Sequence, residues 1–257
     1  MKSKKLVSII IPLFNEEEII DLFSKKIFEN LSLIKKFKFQ VIYIDNCSSD
    51  RTLEKIKRLN NKNINIYEFS NYYGKENAIL CGLDHSEGDY IIIMDPDLQD
   101  PPELIGDLIN KIELGYDVVY AKRENTQERN ILLKILKSTY YFLFSIFCDR
   151  NLEIYPNTGD FKIIKKSIRN YLCNLREYTR FNRSLTSYVS FSSTSINFVR
   201  PERPVGRSKS NYKFLINYGV NSIVSSSSKP LEIFFYIGLV ISVLSFFASL
   251  FILFQKF

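Results

Sequence analysis

The sequence predicts an α/β protein: a mostly parallel sheet with helices on both faces, followed by a C-terminal transmembrane helix. Three observations predict it. Apolar runs rich in β-branched residues recur between helical patterns, as at Leu6-Val7-Ser8-Ile9-Ile10-Ile11 and Tyr90-Ile91-Ile92-Ile93-Met94, and such runs are strands buried on both faces. Polar clusters follow these runs, as ligand sites do at the carboxyl ends of parallel strands. Residues 233–254 hold no charge. At about 1.5 Å per residue they reach roughly 33 Å, enough for a bilayer core of about 30 Å.

In chain order, residues 6–11 read as the first strand, ended by Pro12. Asn15-Glu16-Glu17-Glu18 opens a helical pattern with acids in its first turn, reaching about Phe37, where negative charge suits the helix N-terminus. Residues 39–44 are a second buried strand, which completes a β-α-β unit. The polar loop Asp45-Asn46-Cys47-Ser48-Ser49-Asp50-Arg51-Thr52 ends in an N-cap candidate, and residues 52–59 continue as helix. A strand over 64–69 leads to Asn71-Tyr72-Tyr73-Gly74-Lys75 and a helix over 76–85. The strand over 90–94 follows, then a helix over 103–114 and a short strand over 116–121.

From Arg129 the character changes. Residues 131–147 are apolar around most of a helix, with lysines confined to Lys134 and Lys137. A core helix and a helix lying in the membrane interface both fit. Asn157-Thr158-Gly159-Asp160-Phe161-Lys162 reads as a polar turn entering an apolar stretch, residues 190–195 are rich in hydroxyls, and residues 225–228 read as a short exit linker. Residues 1–228 are expected to form one domain, with membrane-proximal helices at about 129–147 and 207–224. Residues 229–257 are its single membrane span and short tail.

The 257 residues hold one sizeable domain plus an appendage, with a formal charge of +7. Four scattered cysteines and a single histidine, His85, argue against a zinc cluster and for a reduced, cytosolic domain. The apolar run near the N-terminus ends at Pro12, too short for a signal peptide. Lys229 and Lys256 do not settle the orientation of the span, but the basic domain before it favours the cytoplasmic face, where anionic lipids attract it. The cations cluster around a phosphate-site pattern and a membrane anchor, which excludes nucleic acid as the natural partner.

One stretch concentrates the chemistry. The strand over 90–94 runs into Asp95-Pro96-Asp97-Leu98-Gln99-Asp100-Pro101-Pro102-Glu103. Asp95 and Asp97 share the phase of a strand and so would point the same way, a pairing that suits a hard divalent cation. Asp and Pro are equally residues of an ordinary strand-to-turn junction, and both readings stand at this level. Arg200-Pro201-Glu202-Arg203-Pro204-Val205-Gly206-Arg207-Ser208-Lys209 gathers four cations around rigid prolines. It reads as a shaped anion-binding loop in preference to a solvated one.

With these residues placed, the chain resembles the family 2 glycosyltransferases of the GT-A fold, and within them the polyprenyl-phosphate sugar transferases, such as dolichyl-phosphate mannose synthases and bactoprenol-phosphate glucosyltransferases. Six blocks in order support the resemblance. They are Val7 through Glu17, Asn71 through Glu76, Gly82-Leu83-Asp84-His85 with Gly88-Asp89, Asp95 through Glu103, Gly159-Asp160-Phe161-Lys162, and Arg203 through Lys209.

The resemblance implies a hexosyltransferase that uses Mg²⁺ or Mn²⁺. Its donor is a UDP- or GDP-linked sugar, its acceptor a polyprenyl phosphate in the membrane, and its product an inverted linkage; a homo-oligomer is left open. Asp95, Asp97 and Gln99 would hold metal and donor diphosphate. Pro12, Asn15, Glu16, Asp45, Asn46 and Lys75 would line the nucleotide. Asp160 falls at the essential acidic position, and Arg123, Arg129, Arg203, Arg207 and Lys209 would hold phosphates. Two further readings are transfer to a hydroxyl of a glycolipid or glycan, and a non-catalytic nucleotide-sugar-binding membrane protein. Two features depart from the family pattern. Asn46 and Cys47 replace an expected carboxylate and glycine, which bears on the base contact, and one span stands where two are usual.

Overall fold

The computed structural model describes residues 4–59, 61–124, 131–147, 157–175, 191–204 and 212–256. The strands are β1 (Leu6–Leu13), β2 (Lys38–Asp45), β3 (Ile64–Glu68), β4 (Tyr90–Ile93), β5 (Val118–Arg123), β6 (Thr158–Lys165) and β7 (Ser193–Phe198). They form one sheet in the order β3-β2-β1-β4-β6-β5-β7. β1, β2, β3 and β4 pair in parallel, β7 runs parallel to β5, and β6 is antiparallel to both β4 and β5.

The helices packed on the sheet are α1 (Ile20–Leu33), α2 (Thr52–Lys57), α3 (Lys75–Asp84), α4 (Ile105–Glu113) and α6 (Lys166–Asn174); α5 (Ile131–Phe147), α7 (Tyr212–Ser226) and α8 (Lys229–Lys256) stand apart from it. Strand alternation sends residues to two cores. Val7, Ile9, Ile11, Val41, Tyr43 and Ile92 meet α1, α2 and α4, while Ile10, Ile42, Ile44, Ile91 and Ile93 meet α3 and α6. Both faces are covered, as continuous apolar strands require.

The chain divides into two compact units, Met1–Gln127 with Glu153–Lys209, and Glu128–Leu152 with Ser210–Phe257. Within the second unit α5 and α7 touch, through a Ser222 to Tyr140 hydroxyl hydrogen bond of 3.0 Å. These two helices therefore group with α8 and not with the sheet, unlike the division at residue 228 read from sequence. α8 is long and apolar enough to cross a membrane, and none of that span is buried in the protein.

Several boundaries differ from expectation. α1 begins at Ile20, five residues after Asn15. The Asn15, Glu16 and Glu17 amides donate instead to Ser48 Oγ, Thr52 Oγ1 and Asp50 Oδ2, which ties this turn to the loop after β2. The stretch read as a polar turn at 157–162 is strand β6, and α6 and β7 follow where no element was expected. α7 runs through Ser226, into the segment read as a linker.

Candidate functional site

The carboxyl ends of β1 to β4 set out one site, and Lys75 is its centre. Gly74, with φ of 87°, turns the chain into α3, a conformation that glycine adopts without penalty. Lys75 is the first residue of that helix. Its Nζ lies 2.7 Å from Asp95 Oδ1 and 2.8 Å from Asp95 Oδ2, and 2.7 Å from Asp160 Oδ2. The Lys75 side chain is 39% exposed and that of Asp160 only 2%, so a partly wet stem delivers an ammonium into an enclosed pair of acids. Burial pushes the Lys75 pKa down, Asp160 and Asp95 push it up, and the carboxylates prevail, holding it above its ordinary value.

Asp160 reaches this position because of how β6 pairs. Against β4 the register runs from Tyr90↔Lys165 to Ile93↔Lys162; carried two residues further, it sets Asp160 opposite Asp95. Against β5 the ladder is regular at Tyr120↔Lys162 and resumes at Lys122↔Thr158. Residues 159–161 of β6 therefore oppose Ala121 alone. This is a bulge, a device that re-aims side chains beside active sites. Gly159 stands in it, and a Cβ there would sit 2.9 Å from Arg123 Nη2, so glycine leaves room for that guanidinium. Lys162, on the same strand, is buried with its ammonium 5.8 Å from the Tyr120 ring centre.

The expectation that Asp95 and Asp97 point the same way does not hold, because β4 ends at Ile93 and Leu98 has φ of 57°. Strand alternation stops before either residue. Asp95 faces Lys75, whereas Asp97 Oδ1 accepts the Gln99 amide at 3.1 Å and Oδ2 lies 4.0 Å from Arg200. Gln99 Nε2 lies 3.5 Å from the Pro201 carbonyl. Asp100, absent from the expected set, is buried beneath the turn and accepts the Asp95 amide at 3.1 Å, with Arg123 3.6 Å away. Burial first, then the charge of Asp95, pushes its carboxyl up to about 7, against the pull of Arg123.

The nucleotide loops are closed in the way their substitutions require. Cys47 adopts φ of 61° and Asn15 φ of 53°, so the turn expected to need glycine forms with a cysteine in the left-handed region, at a cost of order 1 kcal/mol. Asn46 Oδ1 accepts the Tyr73 amide at 2.9 Å, joining this loop to the segment before Lys75. Buried Asp45 accepts the Ser48 amide through Oδ2 at 3.0 Å, and its Oδ1 finds no donor among the described residues. Pro12 stays within β1, opposite Ile44. Glu16 accepts from Arg203 at 2.6 Å. Arg123 and Arg203 are thus both at the site, while Arg129, Arg207 and Lys209 lie outside the described residues.

The donor set fits a divalent cation completed by a ligand. Among the described residues no three His, Cys, Asp or Glu side chains converge, but magnesium sites of this chemistry use one or two carboxylates and take the remaining ligands from substrate phosphates and water. Asp95 and Asp97 supply that pair. At Asp95 the Lys75 ammonium and such a cation compete for the same oxygens.

A parallel sheet carrying carboxylates, a lysine and guanidinium groups at its strand ends has the form of a sugar-nucleotide transferase of the GT-A fold. The structure of glucosyl-3-phosphoglycerate synthase from Mycobacterium tuberculosis, in complex with Mn²⁺, UDP and glucosyl-3-phosphoglycerate, shares the architecture with a TM-score of 0.56 at 16% identity, over 88% of this chain and 81% of that one. The model of glycosyl transferase family 2 matches residues 8–172. The chain belongs to that family, and it is a transferase. It is 35% identical to an uncharacterized glycosyltransferase of Synechocystis over 93% of this chain and 75% of the relative. It is 34% identical to the bactoprenol glucosyl transferase of Shigella phage SfV over 93% of this chain and 78% of the relative.

Proposed function

We propose that this protein is a membrane-bound, inverting glycosyltransferase that moves a hexose from a nucleoside-diphosphate sugar to a polyprenyl phosphate at the cytoplasmic leaflet. The observation that carries this reading is the engagement of Asp160. A general base needs an oxygen free to receive a proton from the nucleophile, and here Asp160 Oδ2 is 2.7 Å from the Lys75 ammonium. A hydroxyl acceptor would want that base. A phosphate monoester has its second pKa near about 6 and arrives already dianionic, so it asks only to be oriented and kept from electrostatic repulsion. The name of the phage relative, a bactoprenol glucosyl transferase, supports the same acceptor.

On this reading each residue has a defined task. Pro12, Asn15, Glu16 and Asn46 shape the nucleotide pocket, and the open Oδ1 of Asp45 accepts an N–H of the base. Asp95 and Asp97, with Gln99, hold Mg²⁺ or Mn²⁺ and the diphosphate; when bound, the cation neutralises charge that develops on the departing nucleoside diphosphate. Lys75 orients Asp95 and Asp160 beside the anomeric carbon. Arg123 and Arg203, with Arg129, Arg207 and Lys209, oppose repulsion between anionic donor and anionic acceptor. Direct displacement inverts the anomeric centre. α8 and the adjoining helices α5 and α7 keep the catalytic domain at the lipid, and the charge of +7 favours an anionic leaflet.

The test is to incubate membranes containing the chain with Mg²⁺ or Mn²⁺, polyprenyl phosphate and a panel of labelled nucleotide sugars. Label is expected in the lipid phase with one donor of the panel. No lipid-linked label with any donor, from protein shown to be folded, overturns the reading.

A further inference from the structure

Arg200 is the one charged side chain at the Asp97 turn that neither the resemblance nor the proposed chemistry uses. It follows β7 in a segment held on both sides of it. The Pro201 carbonyl meets Gln99 Nε2 at 3.5 Å, and Arg203 donates to Glu16 Oε2 at 2.6 Å. The backbone around Arg200 is therefore tied to the turn after β4 and to the turn after β1, and its side chain is placed by construction.

That placement leaves its guanidinium without a full set of partners. Nε is buried and finds no acceptor among the described residues. Nη2 stands 4.0 Å from Asp97 Oδ2, beyond hydrogen-bond distance. Arg123 is the second cation here, and its charge works against that of Arg200. Arg123 itself is 3.6 Å from its nearest carboxylate, Asp100. Two guanidinium groups thus gather beside one acidic turn, neither in a close bidentate pair with it. Buried donors are rarely left unsatisfied, and one that is calls for a ligand or water. Planar forks of this kind match the oxygens of a phosphoryl group.

We infer that Arg200 is a phosphoryl-binding residue, closing with Arg123 a two-guanidinium pocket beside Asp97 that receives a phosphate carrying two or more charged oxygens. The inference deepens the proposed function, in which two such groups meet at this site, the donor diphosphate and the acceptor monoester. Its chemistry is common to both.

The experiment uses the full chain in nanodiscs and reads binding rather than turnover. Two probes are titrated into wild type, Arg200→Gln and Arg200→Lys: inorganic pyrophosphate with Mg²⁺, and vesicles containing polyprenyl phosphate against vesicles without it. Loss of a charge-assisted pair weakens binding about 10- to 100-fold, so Arg200→Gln is expected to lose at least tenfold for one probe while keeping the melting temperature of the ligand-free protein. A loss confined to pyrophosphate assigns the donor diphosphate, a loss confined to the vesicles assigns the acceptor monoester, and a loss in both places Arg200 between them. Arg200→Lys is expected to recover little, because an ammonium cannot fork; should Arg200→Gln prove unstable, this variant decides. Binding of both probes within twofold of wild type overturns the inference, as does failure of either probe to bind wild type. Pyrophosphate binding does not depend on transfer to lipid, so absence of lipid-linked label would not itself remove Arg200 from the site.

Discussion

Two clusters in this molecule place one charge between two of the opposite sign. At the surface, Glu113 lies 3.1 Å from Lys5 and 2.9 Å from Lys36, whose side chains are 50% and 77% exposed. At the site, Lys75 lies 2.7 Å from both Asp95 and Asp160. The geometries are alike and the surroundings are not. Water screens the surface trio, and its net positive charge costs little. The site keeps one carboxylate more than its lysine can neutralise, in surroundings where an uncompensated charge is expensive. A fold stabilised for its own sake would have neutralised that excess; here it is the capacity to take a further cation.

The largest break in the comparison is expected from Lys75→Met. Without the ammonium, Asp95 and Asp160 face each other, and removing one partner of a buried pair costs about 3 kcal/mol as an upper bound, lessened here because the Lys75 stem is wet. Turnover is expected to fall about 10²- to 10³-fold, the scale for losing a preorganised charge. Added Mn²⁺ is expected to raise the melting temperature of this variant more than that of wild type, since the competing ammonium is gone. Thermal denaturation with and without Mn²⁺ checks it, and equal shifts would show that Lys75 and the cation do not share Asp95.

Asp100 and Glu113 sharpen the contrast through pH. The Asp100 carboxyl is raised to about 7 from an unfolded value near 3.9, so the folded state binds more protons between those values and stability from this group falls as pH rises through them. Asp100→Asn is expected to flatten that slope in metal-free urea unfolding between pH 4 and pH 7; an unchanged slope would place the carboxyl outside the buried network. Glu113 has the opposite sign. Its pKa is lowered by Lys36 and then Lys5, so its contribution is present above the unfolded value and lost as pH falls through the folded one. Glu113→Gln is expected to cost less than about 1 kcal/mol at neutral pH and to lose its effect in high salt, the smallest change of the three. A larger cost, indifferent to salt, would mean that this cluster is not the solvated one described.

The half of the fold from β1 to β4 was legible because its strands are almost wholly apolar and each is closed by a polar loop. β6 was not. Asp160 and Lys162 lie on the face that meets the site, so their polarity masks the strand that Phe161 and Ile163 betray on the other face. β7, Ser193–Phe198, is a hydroxyl-rich edge strand with little apolar pattern to find. The site was legible as a set of residues and not as an arrangement. Asp95, Asp160 and Lys75 could be named one by one, but that the lysine joins the two acids depends on a pairing between residues far apart in the chain. Asp100 and Arg200 went unread for a related reason. An acid in a Pro-rich turn and an arginine in a basic loop have ordinary local explanations, and only burial sets them apart.

The bulge in β6 has one more consequence. Three residues there stand against one on β5, so the strand is two residues longer than a straight ladder needs. Excising two of them would restore regular pairing, and no such excision that includes Asp160 leaves an acid in its place. The sheet therefore has a smoother form within reach of a short deletion, and that form would have lost its catalytic carboxylate; irregular length at this point is the trace of selection acting against the better-ordered sheet.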